Sequence, residues 1–385
     1  MKNYFMDTYH RLPVTFTSGD GVYLFDTNGK KYLDFSSGIA VNCLGHKHPA
    51  LIASVRAQSE KLLHVSNYYQ CDTSAAFAEK LVTAAKMKNV FFCNSGAEAN
   101  EGAIKIARKY SLQKYGEGRH SIVSLDGSFH GRTITTLSAT GQDRFHKNFG
   151  PFTDGFNYVA PGDIKALDAA LDKTVAAVMI EAIQGESGVV SQDEAFIKAA
   201  ADFCKQRDIL LIFDEVQCGM GRTGAFFGFE HYGVSGDVVT LAKGLAGGIP
   251  VGAVLAGDKA GDVLQNGDHG STFGGNPLAA ACGIAVLDIV ANKNFLDGIA
   301  HNGNYFMETI RALNNPKIKS VRGRGLMIAA DITVAAADVL DKALDAGLLV
   351  LSAGANTLRF LPPYIVSKNN IDEGLNILND VLSKF

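Results

Sequence analysis

The sequence predicts an α/β protein with a large domain built on a mostly parallel central sheet and a smaller α+β domain formed by both chain ends. Three observations carry this. Continuous apolar runs such as "VAAVMI" and "ILLIF" alternate with helical patterns through the middle of the chain. Strands of that kind belong to a sheet covered on both faces. From about residue 290 the texture changes to helices and short strands. The 385 residues also suffice for a large core and more than one domain. The expected division is 1–50 and 286–385 for the two parts of the smaller domain, with 51–285 as the larger one.

The elements follow in order. "GVYLFDTNGKKYLDF" reads as a hairpin, with Asn28-Gly29 suited to a type I′ turn. An amphipathic helix opens near Pro49. "NVFFCNSGAEANEGAIKIARKYSLQKYG" is strand, turn and helix, with Ile104, Ile106, Ala107 and Tyr110 on its apolar side. "SIVSLDG" is a strand, "IKALDAALD" a helix and "VAAVMIEAIQ" a strand. "DEAFIKAAADFCKQRD" is a helix, followed by strands in "ILLIFDEV", "DVVTLAKGL" and "GAVLAG". A helix begins near Pro277, and "IDEGLNILNDVLSKF" closes the chain as an amphipathic helix.

Bulk properties narrow the function classes. There are 36 basic and 39 acidic residues, a net charge of −3, so no excess basicity argues for nucleic acid or an anionic membrane. No apolar run reaches the roughly 18 to 20 residues of a membrane span. The N-terminus lacks an apolar signal region. Six cysteines include no C-x-x-C pair, which argues against zinc and a redox dithiol. The expectation is a cytoplasmic protein with reduced cysteines, no metal, no nucleic acid and no membrane.

"LLIFDEVQCGMGRTG" (210–224) poses the functional question. Gly219, Gly221 and Gly224 have the G-x-G-x-x-G spacing, but a dinucleotide loop must open a helix whose N-terminus carries the pyrophosphate. "AFFGFEHYGVSGD" is a poor helix. The carboxylate before the glycines is more informative. Asp214 ends one buried strand and Lys243 ends the next, so both enter the crevice where α/β sheets bind ligands. Alone, such an Asp is often a cap and such a Lys a surface charge. Together they suit pyridoxal phosphate, where a lysine holds the aldehyde and an acid keeps the ring nitrogen protonated. In "NSGAEANE", Asn94 and Ser95 can cap a helix while Gly96 lets backbone N–H groups approach a phosphate. "GSTFGGNP" is a second small-residue loop leading into a helix.

Together with "YLDFSSGIAVNCLGHKHP", "SFHGRT", "EAIQGESG", "LAKGLAGG", "HGSTFGGNPLA" and "LRFLPP", these segments resemble the class III, fold-type I PLP-dependent aminotransferases through nearly the whole chain. The resemblance implies that Lys243 is the Schiff-base lysine and proton shuttle. It implies that Asp214 pairs with the pyridine nitrogen, with Glu215, Val216 and Gln217 beside the cofactor and Gln217 near the phenolic oxygen. Gly96 and Ala97 would hold the phosphate, Ala97 standing where the family often has Thr. Phe129 would stack on the ring, while His130 is read as structural. Thr272 would reach the phosphate of the neighbouring subunit, with Ser271 near the substrate, implying a homodimer with shared active sites.

Arg132 would clamp the donor's α-carboxylate and Arg359 that of 2-oxoglutarate, since a planar guanidinium binds carboxylate bidentately. Glu186 would pair with Arg359 when the donor lacks a second carboxylate. Tyr68 and Tyr69 are candidates for the donor pocket. Within the family the likeness is greatest to the branch that uses N-acetylornithine in arginine biosynthesis. Branches acting on N-succinylornithine, ornithine, 4-aminobutyrate and succinyldiaminopimelate share the motifs. A non-catalytic PLP-binding protein would not require two carboxylate clamps.

Overall fold

The computed structural model describes residues 4–385. Its centre is a seven-stranded sheet. The strands are β1 (Asn89–Cys93), β2 (Ser121–Leu125), β3 (Phe156–Val159), β4 (Val175–Ile180), β5 (Leu210–Asp214), β6 (Val238–Leu241) and β7 (Gly252–Ala256), in the spatial order β1-β7-β6-β5-β4-β2-β3. Only β7 runs against its neighbours, pairing antiparallel with β6 and β1. Every residue of β2, β4, β5, β6 and β7 is buried, as the unbroken apolar runs required. The short strand β3, half polar in "FNYV", was not legible as one.

Helix α1 (Gly96–Tyr115) follows β1 and buries Ile104, Ile106, Ala107 and Tyr110 against the sheet. Helix α2 (Glu194–Arg207) packs against β4 and β5. Helix α3 (Pro277–Val290) packs against Pro49–Ser59 and Asp72–Ala85, the latter a helix absent from the sequence reading.

Both chain ends contribute smaller sheets. Phe16–Asp20, Tyr23–Asp26 and Lys31–Asp34 form an antiparallel ribbon, joined in parallel by Leu348–Leu349. The predicted hairpin is present, but its turn is not type I′. Only Gly29 of the pair has positive φ (79°). Asp26 Oδ1 accepts from the Asn28 and Lys30 N–H groups at 2.8 and 2.9 Å, so a local carboxylate shapes the loop instead. A second sheet pairs Ile318–Arg324, Met327–Ile332, Thr357–Phe360 and Leu351–Ser352. Among the described residues no single helix is long and apolar enough to cross a membrane, and no cluster of three metal-ligating side chains occurs.

Candidate active site

The carboxyl ends of β1, β4, β5 and β6 meet at a cavity of about 410 Å³. Each end delivers one element of it: Asn94 and Ser95 after β1, Glu181 after β4, Asp214 at the end of β5, Ala242 and Lys243 after β6. β5 and β6 are adjacent and parallel, with Asp214 opposite Thr240, which brings the acid and the lysine to one wall. Lys243 has φ 45°, a strained conformation for a residue with a side chain. Burial holds its amine below the ordinary value, against the pull of Asp214, Glu186 and Glu181.

Asp214 is 3% exposed and held by three donors. Its Oδ2 lies 2.7 Å from Asn100 Nδ2 and 2.8 Å from His130 Nδ1, and its Oδ1 accepts from Val216 N–H at 3.0 Å. A carboxylate accepts about four hydrogen bonds, so one acceptor position is left on Oδ1 for a donor in the cavity. A protonated ring nitrogen meets that need. Asn100 also donates to His130 O at 2.7 Å, locking the histidine that faces Asp214. His130 is therefore a support for Asp214.

The phosphate end fits as well. Ser95 Oγ, the N-cap, accepts from Glu98 N–H at 3.2 Å, while Glu98 Oε2 accepts from Asn94 N–H at 2.7 Å, and the two bonds fix the start of α1. Gly96 and Ala97 head that helix and line the cavity, and a helix N-terminus favours an anion there. A Cβ on Gly96 would come within 2.7 Å of Val216, so glycine is needed for the close approach. These residues fit pyridoxal phosphate: an amine, a buried acid with a spare acceptor, an aromatic wall at Phe129 and an anion cradle.

Other predicted residues are placed as follows. Arg132 lines the cavity with its guanidinium 4.1 Å from the Phe145 ring centre. Arg359 is 3% exposed and lies behind Glu186 rather than on the lining. Its Nη1 donates to Glu186 Oε1 (2.7 Å), Gly185 O (3.0 Å) and Gln217 Oε1 (3.3 Å). Burial alone would raise the Glu186 carboxyl, but Arg359, together with Lys243 and Gln217, holds Glu186 below its ordinary value. Glu215 does not reach the cavity. Its carboxylate turns away to accept from Gly228 and Phe229 N–H at 2.7 and 3.0 Å, because successive residues after a strand point to opposite sides. Ser271 and Thr272 lie outside this chain's own cavity; Ser271 Oγ accepts from Asn94 Nδ2 at 3.2 Å and Thr272 is exposed. Tyr68 and Tyr69 are also outside it and are 95% and 71% exposed.

The glycine loop opens no α-helix; only a short 3-10 turn, Gly228–Tyr232, follows. Two site residues escaped the sequence reading. Asn100 stands one turn after Gly96 on the same face of α1, and Glu181 follows a buried strand as Asp214 ends one. The helical spacing and the strand-end rule could have found both.

A family model described as aminotransferase class-III matches residues 4–382, and the chain belongs to that family. Its cofactor is pyridoxal phosphate. The chain is 50% identical over 387 residues to an acetylornithine aminotransferase of Caldanaerobacter subterraneus subsp. tengcongensis, covering 100% of this chain and 98% of that one. It is 46% identical to that of Methanocaldococcus jannaschii, covering 100% and 97%. Among solved structures it resembles the ornithine aminotransferase of Toxoplasma gondii ME49, with TM-score 0.94, 33% identity and coverage of 99% and 93%. It also resembles the N-acetylornithine aminotransferase of Stenotrophomonas maltophilia K279a, with TM-score 0.86, 36% identity and coverage of 98% and 97%.

Proposed function

We propose that the chain transfers the terminal amino group of N2-acetyl-L-ornithine to 2-oxoglutarate. The products are N-acetyl-L-glutamate 5-semialdehyde and L-glutamate, and the setting is arginine biosynthesis in the cytoplasm. The observation that carries this reading is Glu186 on the cavity wall, covering Arg359 behind it. A reaction that alternates a donor having one free carboxylate with an acceptor having two needs a cation that is covered in one half and bare in the other.

Pyridoxal phosphate, when bound, supplies an electron-poor ring that takes up the electron pair freed as a C–H bond beside the amine breaks. Lys243 would hold its carbonyl carbon, then carry the proton between substrate and cofactor carbons. A desolvated amine with a lowered pKa suits that task. Asp214, held in place by Asn100, His130 and Val216, would pair with the ring nitrogen. Gly96 and Ala97 would bind the phosphate, Phe129 would cover the ring, and Gln217 would face its phenolic oxygen. Arg132 would hold the α-carboxylate. Glu186 would leave Arg359 when 2-oxoglutarate or glutamate enters.

We further propose a homodimer with shared sites. Thr272 is exposed and away from its own cavity, and Leu62, Leu63, Tyr68, Tyr69 and Phe273 form exposed apolar surface that suits a second copy. The division into 1–50, 51–285 and 286–385 is likewise a proposal, supported by Leu33 pairing with Leu348 across the two ends.

The ornithine reading is favoured by the higher TM-score, the N-acetylornithine reading by the higher identity. Absorbance of the holoenzyme on adding each donor without 2-oxoglutarate decides between them. Fastest bleaching by N-acetylornithine, ahead of N-succinylornithine, ornithine and 4-aminobutyrate, is the expected result. Faster bleaching by another donor would move the chain to that branch.

A further inference from the structure

Glu181 has no part in the roles above, yet it lines the cavity and is 5% exposed. Its two oxygens reach two different loops. Oε1 accepts from Phe129 N–H at 2.8 Å, and Oε2 accepts from Gly185 N–H at 3.4 Å. Phe129 supplies the aromatic wall. Gly185 precedes Glu186, and its own carbonyl accepts from Arg359 Nη1 at 3.0 Å. Gly185 is wedged: a Cβ there would lie 2.0 Å from Gln217 Oε1, itself 3.3 Å from Arg359. The backbone at Gly185 is thus gripped by Glu181 on its N–H side and by Arg359 on its C=O side.

We propose that Glu181 is a positioning residue that ties the Phe129 loop to the Gly185–Glu186 loop and so fixes where Arg359 meets a dicarboxylate. This rests on the reading of Arg359 as the clamp for the second carboxylate. Only the ionised carboxylate offers both oxygens freely as acceptors; a protonated one keeps a donor on one of them. Burial pushes Glu181 up to about 7; His130 opposes this, Asp214 adds to it, and the Phe129 N–H and Lys243 oppose it. Those groups face it, so the linkage loosens as the pH falls through neutrality.

Glutarate, a five-carbon dicarboxylate, is the probe. Its dissociation constant is measured by calorimetry on apoprotein and holoenzyme of wild type, Glu181→Gln, Glu181→Asp and Arg359→Ala. A glutamine carbonyl can serve only one of the two N–H groups and an aspartate is too short to span both. Each should weaken glutarate about tenfold at pH 8, the effect of one lost hydrogen bond. The constant for N-acetylornithine on the apoprotein should shift less than about threefold. Wild type should lose glutarate affinity between pH 8 and 6, and Glu181→Gln should lose that pH-dependent part. Unchanged affinity in both Glu181 variants, equal losses for both ligands, or affinity that rises at low pH in wild type would overturn the proposal. If Arg359→Ala also leaves glutarate unchanged, the reading of the clamp fails with it; if Arg359→Ala weakens glutarate and the Glu181 variants do not, only the role of Glu181 fails.

Discussion

Arg359, buried, and Glu186, half-buried, form an ion pair in which one guanidinium nitrogen, Nη1, serves the carboxylate, the Gly185 carbonyl and the Gln217 side chain together. Its Nε has no hydrogen-bond partner among the described residues. The cation is therefore covered but not saturated, as a replaceable cover requires.

Replacing Glu186 should make that visible. In Glu186→Ala the competing carboxylate is gone, so 2-oxoglutarate and glutamate should bind more tightly. The ratio of glutamate to N-acetylornithine efficiency should rise by roughly tenfold, in keeping with a charge pair worth one to two kcal/mol. Half-reaction rates for the two donors measure it. Equal changes in both would mean that Glu186 is no switch.

Lys243→Ala should abolish covalent capture of the cofactor. Borohydride treatment of wild type should attach the cofactor to the peptide that contains Lys243, read by mass spectrometry, and leave the variant unlabelled. Activity should fall by roughly a hundred- to ten-thousand-fold, the range for a lost proton-transfer group. Labelling at another lysine would refute the assignment.

Asn100→Leu should act through Asp214. It removes a donor 2.7 Å from Oδ2 and also frees the His130 carbonyl. The expected loss is about 1 to 3 kcal/mol of stability, since a buried carbonyl loses its partner. The cofactor's absorbance should also become pH-dependent in a range where wild type is constant. A stability loss with an unchanged spectrum would make Asn100 structural only.

Glu215 gives a stability prediction with a definite sign. Burial pushes its carboxyl up to about 8 from an ordinary 4.5, although Gly228 and Phe229 N–H groups oppose the rise. The folded-state value is above the unfolded one, so its contribution is full below pH 4.5 and is lost as pH rises through 8. Thermal unfolding at fixed protein concentration should fall more steeply from pH 5.5 to 8.5 in wild type than in Glu215→Gln. Parallel curves would rule this out.

Arg222, from the glycine loop, is fully buried and donates through Nη1 to Leu326 O at 3.0 Å and Pro362 O at 2.6 Å, with its guanidinium 4.4 Å from the Tyr364 ring centre. Arg222→Met should cost about 2 kcal/mol or more, because two buried carbonyls lose their donor. Denaturant unfolding checks it; a shift under about 0.5 kcal/mol would show that the carbonyls find other partners. The loop that looked like a nucleotide fingerprint is a connection between chain segments 140 residues apart.

The sequence by itself determined the parallel sheet, because strands buried on both faces must be apolar throughout, as in "VAAVMI" and "LLIFD". It also determined which strand ends carry Asp214 and Lys243, since chemistry at a sheet's carboxyl edge is a local property of each strand. Local rules likewise gave the cap at Ser95 and the hairpin, but not the turn at Asn28, where the Asp26 side chain set the loop instead. The pairing of Glu186 with Arg359 across 173 residues was implied by the family resemblance. Tertiary structure alone decided that Glu215 faces away, that Asn100 and His130 meet at Asp214, and that Glu181 reaches both the Phe129 and Gly185 backbones. Those depend on which side chains from distant segments share the few ångströms around a buried charge. The energy of burying such a charge depends on all of its neighbours at once, and no window of sequence contains them.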